Sequence, residues 1–271
     1  KEIVHCGKDP VYFINKYVQI QHPTRGLVNF DTYEFQDDCL ADFVNHRFNI
    51  ILKSRQLGIS TLSACYAVWL ACFYRDKNIL VIATKLAVAQ NFIRKVKTAI
   101  RSMPPWLCLP EIISSNKQGV EFNNGSSIKA VPTSDDAGRS EALSLLIVDE
   151  AAFIRNFDEL WMGLYSTLST GGRAIILSTP NGVGDKYHEL CVQAENKENE
   201  FNFIKLLWDR HPDRDNEWFE TETKNMSPKQ VAQELMCDFA ASGDTFLSND
   251  ELTRLALQIK TPIERWGPEM A

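Results

Sequence analysis

No apolar run in this sequence of 271 residues reaches the roughly 18 to 20 residues that a membrane-spanning helix needs. Lys1-Glu2-Ile3-Val4-His5 lacks the pattern of a signal peptide. The seven cysteines include no C-x-x-C pair, and their odd number argues against a disulfide framework and for a reducing compartment. The five histidines, His5, His22, His46, His188 and His211, are too dispersed for a zinc site. Internal repeats and low-complexity tracts are absent. Basic residues are in deficit, with a net charge of −6, which excludes a chain whose whole surface binds nucleic acid. What remains is a local patch: Arg94-Lys95-Val96-Lys97 with Arg101, where Arg94, Lys97 and Arg101 share one helical face. That face reads either as a solvated helix surface or as a contact for an anionic partner.

The composition, 44% hydrophobic and 24% charged, is that of an ordinary folded domain large enough for a sizeable core. Short apolar runs alternate with helical stretches. Strands are predicted at Phe48–Leu52, Asn78–Ala83, Leu143–Val148, Ala174–Ser178 and Phe203–Leu207. Helices are predicted at Leu62–Phe73, Ala87–Met103, Phe157–Leu168, Gly184–Ala194 and Asp215–Met226. Near-continuous apolar strands separated by helices indicate an α/β fold, with a mostly parallel sheet flanked by helices. Asn123-Asn124-Gly125 between β-prone segments predicts an inserted hairpin. Beyond His211 the strands stop, and acidic helical stretches predict a small C-terminal helical subdomain.

One more absence is the informative one. Lys53-Ser54-Arg55-Gln56-Leu57-Gly58-Ile59-Ser60-Thr61 sits between a strand and a helix, where backbone N–H groups cradle phosphates. Laid on G-x-x-x-x-G-K-[ST], it offers Gly58 as second glycine and Ser60 as the Mg²⁺-binding hydroxyl, but Ile59 stands in the lysine slot and Lys53 in the first-glycine slot. Leu145-Leu146-Ile147-Val148-Asp149-Glu150 places two carboxylates at the carboxyl end of a buried strand, where open α/β sheets bind ligands. Asp149 would hold Mg²⁺ near Ser60, and Glu150 would deprotonate a water. A third strand ends in Ser178-Thr179-Pro180-Asn181, small hydroxyls and an amide suited to sensing a γ-phosphate, or an ordinary turn. Upstream, Tyr33-Glu34-Phe35-Gln36 offers a glutamine for an adenine edge and the Phe35 ring for stacking, or simply core aromatics.

Together, Ser54-Arg55-Gln56-Leu57-Gly58, Asn123-Asn124-Gly125-Ser126-Ser127-Ile128, Asp149-Glu150-Ala151-Ala152-Phe153-Ile154 and Ser178-Thr179-Pro180-Asn181-Gly182 resemble the ATPase domain of the large terminase subunit of tailed bacteriophages, from about Asp31 to about Leu247. The resemblance implies an additional-strand, RecA-like P-loop ATPase that pumps double-stranded DNA into a procapsid. It implies ATP and Mg²⁺ as cofactors, Gln36 as adenine sensor, Glu150 as base and Ser178-Thr179-Pro180 as the coupling element. Lys53-Ser54 fits a variant loop that carries its lysine at the start. Arg139 matches an arginine that reaches a neighbouring subunit's nucleotide, and Arg55 is its rival within the subunit. Portal protein, small terminase subunit and a homo-oligomeric ring are the implied partners, in the host cytoplasm and transiently at the portal. The implied division is an ATPase core over 1–210, a lid over 211–247, and over 248–271 the start of a linker toward a nuclease domain lying outside this sequence. Two other readings are a nucleotide-sensing assembly module with little turnover, prompted by Ile59, and a helicase-like ATPase.

Overall fold

Every residue of the strand leading to the phosphate loop is buried, so that strand must be covered on both faces and on both edges. The computed structural model, which describes residues 1–107, 110–133, 142–242 and 254, shows how this is met. The chain opens with α1 (Glu2–Lys8), α2 (Pro10–Tyr17), an antiparallel ribbon of β1 (Gln19–His22) and β2 (Gly26–Asn29), and α3 (Glu34–Asn45). There follow β3 (Phe48–Lys53), α4 (Ile59–Phe73), β4 (Asn78–Ala83) and α5 (Leu86–Ser102). Next come β5 (Ile112–Asn116), β6 (Gly119–Phe122), β7 (Ser127–Pro132), β8 (Leu145–Asp149), α6 (Phe157–Thr167), β9 (Arg173–Ser178), α7 (Lys186–Glu195) and β10 (Phe201–Leu206). The described chain closes with α8 (Asn216–Thr223), α9 (Pro228–Glu234) and α10 (Phe239–Ser242).

The main sheet has the order β10-β3-β9-β8-β4-β7-β6-β5. The strands from β10 to β7 run parallel, and β6 and β5 add an antiparallel flap. β9 stands between β3, which leads to the phosphate loop, and β8, which ends in Asp149. An extra strand at that place is the additional-strand form of the P-loop NTPase fold. Period-two alternation splits the strand residues between two cores. Ile51, Ile79, Val81, Ile147 and Leu177 face α2 to α5, while Ile50, Leu52, Leu80, Val148 and Ile176 face α6 and α7.

The predicted strands and helices are present, with shifted ends. α4 starts at Ile59 rather than Leu62, because the loop turns directly into the helix at Gly58, whose φ of +76° a residue with a Cβ adopts only under strain. The predicted hairpin joins β6 to β7 through Gly125 at φ +83°. The helix predicted over Asp215–Met226 is α8, Asn216–Thr223, and a further helix that was not predicted follows it. Ser227, whose side chain caps the N–H of Gln230, begins α9 with Pro228 as its first residue. The six described cysteines are free and buried. No described helix is long and apolar enough to cross a membrane. Arg139 with its neighbours Asp136–Ser140 and, Arg254 apart, the predicted linker from 248 lie outside the described residues.

Tyr187 of α7 fastens the sheet where the functional strands end. Its buried hydroxyl donates to Ile51 O at 2.7 Å and approaches Ser178 O at 3.2 Å, tying β3 to β9. Tyr187→Phe is expected to cost about 1–2 kcal/mol of stability in a urea titration, the usual effect of leaving buried acceptors without their donor. An unchanged midpoint would show that the hydroxyl ties nothing.

Candidate nucleotide site

The carboxyl ends of β3, β8 and β9 converge on one edge of the sheet, which brings four sequence-predicted groups together. Lys53, the last residue of β3 and only 6% exposed, places Nζ 3.4 Å from Glu150 Oε1. Ser60, in the first turn of α4, donates to Asp149 Oδ1 at 3.0 Å. Burial, then the neighbouring Glu150 charge, raise the Asp149 pKa above the usual aspartate range, opposed by Lys53, Lys95 and the Ser60 hydrogen bond. Burial lowers the pKa of Lys95 of α5, against the attraction of the Asp149 and Glu150 charges. Glu150 itself sits in the left-handed region at φ 59°, ψ 46°, an uncommon conformation for a residue with a Cβ.

Ile59, in the usual lysine slot, is 1% exposed and belongs to the core beneath α4. The cation paired with Glu150 is instead Lys53, with the charge of Lys95 also acting on the carboxylates. Within the loop, the backbone N–H groups of Gln56, Leu57, Gly58, Ile59 and Ser60 donate to no acceptor among the described residues. Gln56 and Gly58 both adopt positive φ, 59° and 76°. A run of free N–H groups with alternate left-handed residues at a helix N-terminus is a nest for phosphate oxygens. The flanking N–H groups are spent: Ser54 N donates to Leu206 O and Arg55 N to Glu234 O, each at 2.7 Å. Thr61 lines a groove of about 490 Å³ beside Arg94, Lys95, Lys97 and Arg101 of α5.

Gln36 is 2% exposed. Its Oε1 accepts from Tyr33 N at 3.1 Å and its Nε2 donates to Leu57 O at 2.9 Å, so it joins the start of α3 to the phosphate loop. The Phe35 ring stacks on Tyr33, whose ring also meets His211 edge-on at 4.6 Å. At the tip of β9, Ser178 Oγ accepts from Ala152 N and Asn181 Nδ2 donates to Ala152 O, both at 3.2 Å. The turn after Glu150 is thereby fixed to β9, and Thr179 beside it is buried. Pro180 O and Asn181 Oδ1 accept from Gln233 Nε2 of α9. Arg55 turns its guanidinium to Glu234 at 3.5 Å.

Three contributors escaped the sequence reading: Arg214, which donates to Arg55 O and Gln56 O, and Gln233 with Glu234. The helix α9 that carries Gln233 and Glu234 lies beyond the last predicted helix, and nothing local signals what it touches.

A protein-family model described as "Terminase large subunit, T4likevirus-type, N-terminal" matches residues 50–254, a span holding the phosphate loop, both carboxylates and the β9 tip. The chain belongs to this terminase family. Solved terminases share its fold. The large terminase ATPase domain of Thermus phage P74-26 aligns at 20% identity over 72% of this chain and 90% of that one, with a TM-score of 0.61. The large terminase of a thermophilic bacteriophage, solved also with ADP and with ATP-γ-S, aligns at 10% identity over 77% of this chain and 54% of that one, at 0.63. For the bacteriophage HK97 large terminase the values are 16%, 93%, 51% and 0.61. This chain thus matches about half the length of the last two proteins.

Gly58 tests the cradle. A Cβ there would sit 2.8 Å from Gln36 Nε2 on a backbone at φ +76°. Gly58→Ala is expected to lower stability by about 1–2 kcal/mol, from left-handed strain and the disturbed Gln36 bond. Thermal denaturation with and without Gln36→Ala would check it. If the two losses simply add, the residues do not meet as described.

Proposed function

We propose that this terminase chain hydrolyses ATP with Mg²⁺ and drives double-stranded DNA into a viral procapsid. The observation that carries this reading is the convergence of Lys53, Ser60, Asp149 and Glu150 around a run of free N–H groups, with β9 between the two functional strands. The residues fit the cofactors. The nest from Gln56 to Ser60 suits phosphate oxygens, and the Ser60 hydroxyl and Asp149 carboxylate form an all-oxygen donor pair of the kind a hard dication takes. Mg²⁺ held there would neutralise charge on the terminal phosphates.

The chain's own groups do the rest. Lys53 would direct its ammonium to the β- and γ-phosphates from the start of the loop, exchanging Glu150 for the nucleotide. Glu150, released from that pair, would orient the attacking water and take its proton. Gln36, fixed to the loop at Leu57, would read the adenine edge, with Phe35 beside it. Ser178, Thr179, Pro180 and Asn181 would pass the state of the site to the lid proposed over residues 211–247. Arg139 is proposed as the arginine offered to a neighbouring subunit in a homo-oligomeric ring on the portal, with Arg55 as its alternative within the subunit. The small terminase subunit would deliver DNA, and the exposed Arg94 and Arg101 with Lys97 of α5 would be its contact.

Steady-state ATP hydrolysis with Mg²⁺ tests the chemistry. Glu150→Gln and Lys53→Ala should each lower turnover by roughly a hundredfold or more, with Glu150→Gln still binding nucleotide. Undiminished turnover in Lys53→Ala would remove that lysine from the phosphates. DNA contact is read separately by titrating duplex DNA at several salt concentrations. Arg94→Glu with Arg101→Glu should weaken binding and flatten the plot of log affinity against log salt by roughly two. An unaltered slope would return these arginines to a solvated surface.

A further inference from the structure

Arg214 lies in the loop before α8, after His211-Pro212-Asp213. Its guanidinium stacks on Trp218 of α8, 4.5 Å from the ring centroid, and Trp218 stacks in turn on Trp208 at 5.9 Å. From that platform Nη1 donates to Arg55 O and Nη2 to Gln56 O, both at 3.1 Å. One planar fork thus holds two successive carbonyls of the phosphate loop.

Peptide geometry gives that grip its meaning. In a trans peptide the carbonyl of one residue and the N–H of the next point in opposite directions, and the described residues contain no cis peptide. Arg55 O drawn toward Arg214 therefore turns the Gln56 N–H away from it, and Gln56 O held the same way turns the Leu57 N–H. Leu57 O, taken by Gln36 Nε2, does the same for Gly58. The N–H of Arg55 is consumed by Glu234 O, so the free run begins at Gln56, the first residue whose preceding carbonyl Arg214 holds. Gln56 also has a left-handed backbone at φ 59°, which a side-chain-bearing residue keeps only when its surroundings impose it.

We infer that Arg214 is a positioning residue for nucleotide binding: it aims the N–H groups of Gln56 and Leu57 at the phosphates before the nucleotide arrives. This rests on the reading of the loop as a nucleotide site. Because the same guanidinium sits on Trp218, filling the cradle is also felt at α8. Lysine cannot replace the fork, since a single ammonium neither bridges two carbonyls in plane nor stacks equally on indole.

The test compares the intact chain with Arg214→Ala and Arg214→Lys. ADP with Mg²⁺ is titrated by calorimetry, ATP turnover gives KM and kcat, and melting temperature is recorded for each variant. Arg214→Ala should weaken ADP binding and raise KM by roughly tenfold or more, leave kcat within about twofold, and abolish the change in tryptophan emission expected when saturating ADP is added to wild type. Arg214→Lys should fall between. If the alanine variant does not fold, the same split in a lysine variant with wild-type melting temperature decides for the proposal. ADP affinity unchanged in either folded variant, or a loss confined to kcat, overturns it. A wild-type chain that binds ADP in no condition overturns the nucleotide reading itself, a result distinct from wild-type binding that Arg214 does not influence.

Discussion

An ammonium at the end of a fully buried strand must find an opposite charge, and the site is arranged around that need. Lys53 belongs to β3 and finds Glu150 just past β8, two strands away in the sheet. The pair therefore crosses the end of β9, which separates them. Such a pair is a poor sign of stability, because taking both ions from water costs about what their attraction returns. Its value is geometric. It holds the general-base candidate, the displaced lysine and the β9 tip in one small volume, with Ser60 and Asp149 bonded alongside.

Contacts run from that volume in a closed circuit. Ala152, just beyond Glu150, is fixed to Ser178 and Asn181. Asn181 meets Gln233, and the neighbouring Glu234 takes Ser54 Oγ and Arg55 N, one residue from Lys53. Each link is a bond of ordinary length, and none acts through bulk rearrangement of a core. A helix carrying adjacent residues on the β9 tip and on the phosphate loop is placed to respond to both.

How much of this the sequence disclosed follows from the range of the forces involved. The strands of the parallel sheet were legible because burial on both faces demands unbroken apolar runs such as Ile50-Ile51-Leu52 and Leu145–Val148. The carboxylates were legible because a strand end at a sheet edge is where polarity must begin. Ile59 was correctly suspect: a branched apolar side chain in a cation's slot goes to the core, and here it does. The N-terminal helices α1 and α2 went unread, as did α3 under Gln36, because short amphipathic helices carry weak periodicity. Arg214, Gln233 and Glu234 were illegible for a different reason. Each of them engages backbone, their own or that of residues far along the chain, and backbone leaves no trace in residue identity.

The strand β3 is paired on one side with β9 and on the other with β10, so that Phe48 lies opposite both Ala174 and Phe201. Both neighbours come from much later in the chain, and the loop that β3 supports is completed only by Arg214 and Glu234. Long-range parallel pairing of this kind forms late. During synthesis, therefore, β3 and β4 are made before any of the strands they pair with, and only helices are at hand to cover them. The loop takes its described shape only once Arg214 and Glu234 have been made, so that its geometry is a record that translation has passed α9.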